Sequence, residues 1–315
     1  MRRRDFIAGF GAIGASPRAV VAQLKLSRIG VLVPANPEPF WSQFRAGLRE
    51  YGYIEGRNVV LELRSADGHP DRLSELAAEL VRLNVDIIVA QFTPAIFAAR
   101  HATSDIPIIM AWAGDPIGTG LISSLARPGG NITGLAGPGG APKMLELARD
   151  VLPSMQRVAA LANAPDPFSR VFVKEIEEAS RAIGITAQII QVQGEGELET
   201  AFAAMVKERA DAVIMQTSLS RKPAIELALK YHLPLLSGTP LLPREGGLMS
   251  FSIQQDEMYR RAAAFVGRIL QGAKPADLPV EQATRYEIVI NLKTAQALGI
   301  TVPPTVLARA DEVIE

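Results

Sequence analysis

Cysteine is absent from this chain of 315 residues, histidine is rare, and neither sign of charge is in excess. The lack of cysteine excludes disulfides, thiolate metal sites, a cysteine nucleophile and a lipid attached through cysteine. The formal net charge is zero, so we expect no nucleic-acid partner. Because His69, His101 and His232 stand in no metal-binding spacing, we expect no metal site and no cofactor.

Long hydrophobic runs are also missing after residue 22, so we expect no transmembrane span in that part of the chain. Hydrophobic residues nevertheless make up 48% of the chain and charged residues only 21%. This composition is typical of a globular protein, and the length suits one large domain or two domains of about 140 residues each.

The first 22 residues have the pattern of an export signal. Arg3 and Arg4 resemble the twin-arginine motif, and the apolar stretch 6–15 is too short to span a bilayer. We therefore predict a signal peptide over 1–22, removal after Ala22 and a periplasmic location, by the twin-arginine or the general secretory route. An ordinary amphipathic helix is the alternative.

The remaining chain alternates short apolar runs with amphipathic segments, which is the pattern of repeated β-α-β units. The first series has predicted strands at 28–33, 58–64, 85–90, 108–112 and 131–135, and helices at 40–51, 71–83 and 94–102. A second series has strands at 157–162, 186–192, 211–215, 233–236 and 247–253, and helices at 168–183, 198–209 and 222–231. A helix at 256–270, a strand at 286–290 and a helix at 292–298 follow.

This order predicts an α/β fold with two doubly wound parallel-sheet lobes, joined by a hinge that the chain crosses more than once. We expect the first lobe to contain 27–136 and about 254–278. The second lobe is expected to contain 137–253 and about 279–300, and 301–315 to form a C-terminal tail.

One internal match links the two series. The strand that ends at Gln91 is followed by Thr93, and the strand that ends at Gln216 is followed by Thr217 and Ser218. Ligands of open parallel sheets bind beyond the carboxyl ends of the strands, near helix N-termini. The match therefore predicts that the polar side chains at these two strand ends face each other across a cleft and bind a small polar molecule between them. The same hydroxyls are also suited to capping helices, which is the alternative.

The segment 115–134, DPIGTGLISSLARPGGNITG, resembles a signature of ABC transporter substrate-binding proteins of the tryptophan/tyrosine-binding type. The segments 246–250, 289–295, 302–304 and 307–314 resemble the same family. This resemblance implies a type I periplasmic-binding-protein fold that encloses an amino acid or an aromatic or other organic acid. It also implies an ABC permease and ATPase in the inner membrane as partners, and we expect a monomer.

Aromatic residues are only 6% of the chain, so those that follow predicted strands are candidates for covering such a ligand. Phe40 and Trp41 have packing of the first helix as an alternative role. Asp115 suits either an ammonium group or a turn cap, and we favour the cap. The candidate ligand-binding residues are Phe40, Trp41, Gln91, Phe92, Thr93, Gly114, Asp115, Asn163, Phe168, Gln216, Ser218 and Thr239.

Three other functions are alternatives to this interpretation. A hydrolase would need a nucleophile elbow, a P-loop or a zinc spacing, and the sequence has none, so we expect no enzymatic activity. The sensor domain of a repressor would need a helix-turn-helix before the first strand, where the predicted signal lies. An exported ligand-sensing domain of a membrane signalling receptor remains the alternative.

Overall fold

The computed structural model describes residues 26–137 and 140–315. The predicted signal peptide, 1–22, lies outside the described residues, so its removal and export route stay predictions. Within the described ranges, none of the helices is both long and apolar enough to cross a membrane.

Thirteen strands are present in the described part of the chain. They are β1 (Ser27–Val33), β2 (Val59–Ser65), β3 (Ile87–Gln91), β4 (Ile108–Gly114), β5 (Ile132–Gly137), β6 (Arg157–Asn163), β7 (Thr186–Val192), β8 (Ala212–Met215), β9 (Leu235–Ser237), β10 (Met249–Ile253), β11 (Glu281–Gln282), β12 (Tyr286–Asn291) and β13 (Glu312–Ile314). Their central members are buried apolar runs, as expected for parallel strands covered on both faces.

Eleven α-helices accompany these strands in the described ranges. They are α1 (Phe40–Glu50), α2 (Leu73–Arg82), α3 (Phe92–Ala102), α4 (Ala141–Val151), α5 (Ser169–Ala182), α6 (Leu198–Lys207), α7 (Arg221–Lys230), α8 (Leu241–Arg244), α9 (Gln255–Leu270), α10 (Leu292–Ala297) and α11 (Pro304–Leu307). Helix α1 buries Phe40, Phe44 and Leu48 along one face. Gly47 on the same face allows α9 to approach, since a Cβ there would lie 2.6 Å from the Arg260 carbonyl oxygen.

The strands form two sheets, one in each lobe. The first sheet has the order β11-β5-β4-β3-β1-β2, and its strand pairs are all parallel. The second has the order β13-β12-β10-β9-β8-β6-β7, with a single antiparallel pair, β10 with β12. The predicted α/β fold with two doubly wound lobes is therefore confirmed.

The chain passes between the lobes three times: between β5 and α4, between β10 and α9, and between β11 and β12. The carboxyl ends of the central strands of both sheets meet at the gap between the lobes. Such a hinge holds the lobes together while it leaves their separation adjustable.

Three details differ from the predicted pattern. Strand β11 pairs with β5 in the first sheet, whereas we expected 279–300 in the second lobe, because two residues are too short for a recognisable pattern. Strand β13 pairs with β12, whereas we expected a tail there. Helix α4 was not predicted; its Pro142 stands in the first helical turn, where proline is well tolerated.

Candidate functional site

A small cavity of about 50 Å³ lies between the lobes, at the carboxyl ends of their strands. Its first-lobe wall consists of Phe92, Thr93, Trp112 and Gly114. The remaining lining residues are Gly140, Asp166, Phe168, Thr217, Ser218, Gly238, Phe251, Ser252, Ile253 and Tyr286. Five aromatic side chains and one carboxylate therefore surround this inner cavity.

The aromatic walls are held in place by the ends of the strands. Phe251 on β10 and Tyr286 on β12 stack with ring centroids 5.1 Å apart and an interplanar angle of 2°. The ring of Phe168 lies so close to Gly114 that a Cβ there would come within 2.8 Å of it. The Trp112 ring lies against Gly137 in the same way. Any larger residue at either glycine would displace a ring of the cavity wall.

The backbone of the first lobe is irregular where it forms this wall. The register of β3 against β4 shifts between Ala90 and Gln91, and that of β4 against β5 shifts between Met110 and Ala113. Such bulges redirect the side chains that follow them. Phe92 comes directly after the first bulge and has a positive φ of 63°.

The second lobe contributes a buried carboxylate with several hydrogen bonds. Asp166, only 5% exposed, accepts hydrogen bonds at Oδ2 from the Ser218 hydroxyl at 2.6 Å and from Gln216 Nε2 at 2.7 Å. Its Oδ1 accepts one from the Phe168 backbone N–H at 2.9 Å. Because a carboxylate offers about four lone-pair positions, one position remains for a ligand.

A backbone group fixes the orientation of this network. Gln216 Oε1 accepts a hydrogen bond from the backbone N–H of Asn163 at 2.9 Å, so its Nε2 must point towards Asp166. Asn163 Nδ2 in turn donates to Ser218 Oγ at 3.1 Å, which directs the Ser218 proton to the carboxylate.

Burial raises the pKa of Asp166 above its usual value, and the hydrogen bonds from Ser218, Phe168 and Gln216 offset part of this increase. Desolvation disfavours the charged carboxylate, whereas donors that point at it favour the charged form. A cation placed in the inner cavity would therefore gain an attractive partner that has already lost most of its water.

A larger chamber of about 560 Å³, the mouth chamber, adjoins the inner cavity and shares Phe92, Thr217 and Ser218 with it. Gln91 lines this chamber and donates from Nε2 to the Tyr259 hydroxyl at 3.1 Å. Burial raises the pKa of Tyr259, so its hydroxyl stays protonated at neutral pH. Across the chamber, Gln255 at the start of α9 donates to Thr239 Oγ1 of the second lobe at 3.5 Å.

The structure gathers most of the candidate residues around these two spaces. Five of them line the inner cavity: Phe92, Thr93, Gly114, Phe168 and Ser218. Gln91 and Thr239 line the mouth chamber, and Asn163 and Gln216 lie behind Asp166. Whether they contact a ligand stays a prediction.

Three candidates lie elsewhere among the described residues. Phe40 is fully buried in the first-lobe core, stacked on Phe44 at 5.6 Å and edge-on to Tyr259 at 5.1 Å. Trp41 lies beside it on α1 with the Arg45 guanidinium 5.5 Å from its ring. Neither lines the inner cavity or the mouth chamber, because both pack with residues of the first sheet and of α9.

Asp115 closes a turn, as we favoured: its Oδ1 accepts a hydrogen bond from the Gly118 N–H at 2.9 Å. Helix capping, the alternative role of the Thr93 and Ser218 hydroxyls, is wrong. Thr93 lies inside the first turn of α3, which starts after Gln91 without a side-chain cap. Ser218 donates its proton to Asp166 instead of capping α7, whose N-cap is Ser220.

Sequence reasoning missed Asp166, Trp112, Phe251 and Tyr286. Asp166 lies in the loop directly after β6, and the rule applied to the ends of β3 and β8 would have found it there. Trp112 lies within β4 and was counted as a strand residue. Phe251 and Tyr286 meet only because β10 pairs antiparallel with β12, a pairing that the pattern of parallel units does not suggest.

In the described residues no three His, Cys, Asp or Glu side chains gather in a way that would hold a metal ion.

The family model for ABC transporter substrate-binding proteins matches residues 40–314. The tyrosine-binding protein of Clostridioides difficile (strain R20291) is 26% identical over 261 residues, which are 82% of this chain and 75% of that protein.

Two solved structures resemble the whole fold. The ABC domain from Streptococcus pneumoniae in complex with L-Trp is 28% identical, with a TM-score of 0.84 over 91% of this chain and 99% of that one. A conserved domain protein of Vibrio cholerae O1 biovar El Tor is 26% identical, with a TM-score of 0.86 over 92% of this chain and 100% of the other.

Proposed function

The chain belongs to the family of ABC transporter substrate-binding proteins, and from this premise we propose that it captures an aromatic amino acid between its lobes for an ABC importer. The resemblance of 115–134 to this family is thereby confirmed, and a binding protein rather than an enzyme was the correct expectation. The observation that carries the proposal is the single buried carboxylate, Asp166, inside a cavity walled by aromatic rings.

The rings select the side chain of the ligand. Trp112, Phe168 and the stacked pair Phe251 and Tyr286 offer flat apolar surfaces. Aromatic pairs gain stabilisation beyond the burial of area, so an aromatic side chain suits this space better than an aliphatic one. The named ligands of two relatives, tyrosine and L-Trp, are of this class.

Asp166 is suited to meet the α-ammonium group. A buried carboxylate with one free lone-pair position attracts a cation strongly, because little water competes for either partner. An aromatic acid without an amino group would instead bring a second negative charge to Asp166 and be rejected.

The carboxylate of the ligand is expected near the N-terminus of α3. Thr93 is 4% exposed, lines the inner cavity and lies in the first turn of this eleven-residue helix. Backbone N–H groups of a first turn have no partner within the helix and attract anions. Ser218 also lines this cavity, but its proton is donated to Asp166, so we do not assign it to the carboxylate of the ligand.

The size of the inner cavity implies movement. About 50 Å³ is far below the range of roughly 300 to 1,000 Å³ that is typical of ligand pockets. We therefore propose that the lobes separate about the hinge, which consists of the three chain crossings, to admit the ligand. Delivery to a permease and ATPase from the periplasm, as a monomer, stays part of this proposal, and a sensing domain of a membrane receptor stays the alternative.

Calorimetric titration of the purified protein with L-phenylalanine, L-tyrosine and L-tryptophan tests the proposal. We expect saturable binding of at least one of them and none of 3-(indol-3-yl)propionate, which keeps the ring and the carboxylate of tryptophan but lacks the ammonium group. Binding of the deaminated acid as tightly as the amino acid, or of none of the four compounds, would contradict the proposal.

A further inference from the structure

Phe92 separates the two spaces of the cleft. The residues that line both the inner cavity and the mouth chamber are Phe92 from the first lobe and Thr217 and Ser218 from the second. The contribution of the first lobe to the partition is therefore one aromatic side chain. Its removal would join a cavity of about 50 Å³ to a chamber of about 560 Å³.

The backbone of Phe92 is strained. With a φ of 63° it occupies the left-handed region, which costs free energy for any residue that has a Cβ. Six non-glycine residues in the described ranges have a positive φ. Four of the others, Asp67, Asn84, Arg209 and His232, lie at exposed positions, and Asp115 closes a turn.

Phe92 differs from Asp67, Asn84, Asp115 and His232 in its residue type, and from Arg209 in its position in the cleft. Asparagine, aspartate and histidine tolerate this region, whereas a bulky aromatic residue is unusual there. A strained residue in a cleft persists only when the surrounding structure holds it, and such residues concentrate at functional sites. Here the preceding bulge at Ala90 and Gln91 directs the chain into this conformation.

We propose that Phe92 is a specificity-determining residue, whose strained backbone holds its ring as the partition that limits the size of the side chain that the inner cavity accepts. This role rests on the proposed binding of aromatic amino acids. Strain has a consequence for selectivity, because displacing the Cα–Cβ bond of Phe92 for a larger ligand would require a change in a backbone segment that lies between the bulge and α3.

Two substitutions of Phe92 distinguish the effect of its ring from the effect of its strained backbone. Phe92→Ala removes the ring and keeps the Cβ in the left-handed region, whereas Phe92→Gly removes both. Arg209 has a φ of 59° at an exposed turn after α6, so Arg209→Ala and Arg209→Gly form a matched pair away from the cleft. Phe92→Leu preserves apolar volume in case the smaller side chains impair folding.

We expect Phe92→Ala and Phe92→Gly to bind the preferred one of the three aromatic amino acids about tenfold more weakly, because an apolar contact and the cavity boundary are lost. The ratio of the affinities for phenylalanine and tryptophan should move towards one. Phe92→Leu should lie between these variants and the parent, and both Arg209 variants should retain the parent's affinities and ratio.

Melting temperatures without ligand test the strain. Phe92→Gly should melt about 2 °C or more above Phe92→Ala, as Arg209→Gly should above Arg209→Ala, because glycine relieves a left-handed conformation. An unchanged affinity ratio in Phe92→Ala, or a Phe92→Gly protein that melts no higher than Phe92→Ala, would overturn the proposal. If the parent itself binds none of the three amino acids, the proposed function fails, and this role fails with it.

Discussion

The two lobes share a topology, but their strands end differently at the cleft. In the first lobe the register shifts near the ends of β3 and within β4, and the chain then places Phe92 and Trp112 in the wall. In the second lobe β6 pairs with β7 and β8 without any shift. The first lobe therefore contributes two rings through an irregular backbone, whereas the second contributes three rings and the carboxylate of Asp166 through a regular one.

Gln91 and Gln216 occupy matching strand ends in the two lobes but have different hydrogen-bond partners. Gln91 donates to Tyr259 on α9 and lines the mouth chamber, whereas Gln216 joins the backbone of Asn163 to the carboxylate of Asp166. The same residue at the same strand end thus has two roles, since its neighbours differ. A duplicated scaffold repeats positions, and the side chains around each position decide what it does.

The largest expected effect is that of Asp166→Asn in the second lobe. The amide keeps the shape, but it loses the charge that attracts the ammonium group. We expect the affinity for the aromatic amino acid to fall about a hundredfold or more in calorimetric titration. A loss of less than about threefold would mean that the charge contributed by the second lobe is not used for binding.

Next in size is the effect of Trp112→Ala in the first lobe. Removing a large ring from the wall of a small cavity should weaken binding of an aromatic amino acid by about tenfold to a hundredfold. Unlike Asp166→Asn, this variant should also lose selectivity between aromatic and aliphatic amino acids, which competition titration with L-leucine measures. If Trp112→Ala kept its selectivity for aromatic over aliphatic amino acids, the rings of the second lobe would be sufficient for that selectivity.

Acid should weaken binding through the same carboxylate. The pKa of Asp166 is raised in the free protein, and a bound ammonium group would lower it, so ligand binding releases a proton as the pH falls below the raised pKa. Affinity should then fall by at most about tenfold per pH unit, and Asp166→Asn should be insensitive to pH in this window. A parent protein with a flat profile from neutral pH down to the ordinary pKa of aspartate would contradict this coupling.

The smallest pair of effects compares the two glutamines directly. Gln216→Leu removes a donor from Asp166, so we expect about five- to tenfold weaker binding and a further rise in the pKa of that carboxyl. The pH profile of binding should therefore shift to higher pH. Gln91→Leu, the matched control in the first lobe, should change affinity less than about twofold and leave the profile in place. Equal effects of both would show that the lobes are functionally symmetrical.

The fold was predictable from the sequence because periodicity is a local property. Buried strands such as β3 and β8 are runs of apolar residues bounded by polar ones, and their alternation with helices specifies a doubly wound lobe. Strands β11 and β13 were not recognised as sheet strands, because two or three residues with mixed exposure carry too little pattern.

The site was predictable only in part. Gln91, Thr93, Phe168 and Ser218 were found because strand ends in parallel sheets are binding positions. Phe40 and Trp41 follow β1 in the same way, but the amphipathic pattern of α1 turns them towards α9. Phe251 and Tyr286 are far apart in sequence, and only tertiary pairing brings their rings together.

In the proposed function, the three crossings of the hinge link two lobes that each carry part of one binding surface. A ligand that first rests on one lobe meets the other at an effective concentration set by the connecting segments rather than by the amount of protein in solution. The gain in avidity depends on how far those segments allow the lobes to separate. A substitution that lengthens or loosens a crossing would therefore weaken binding without touching any atom of the ligand.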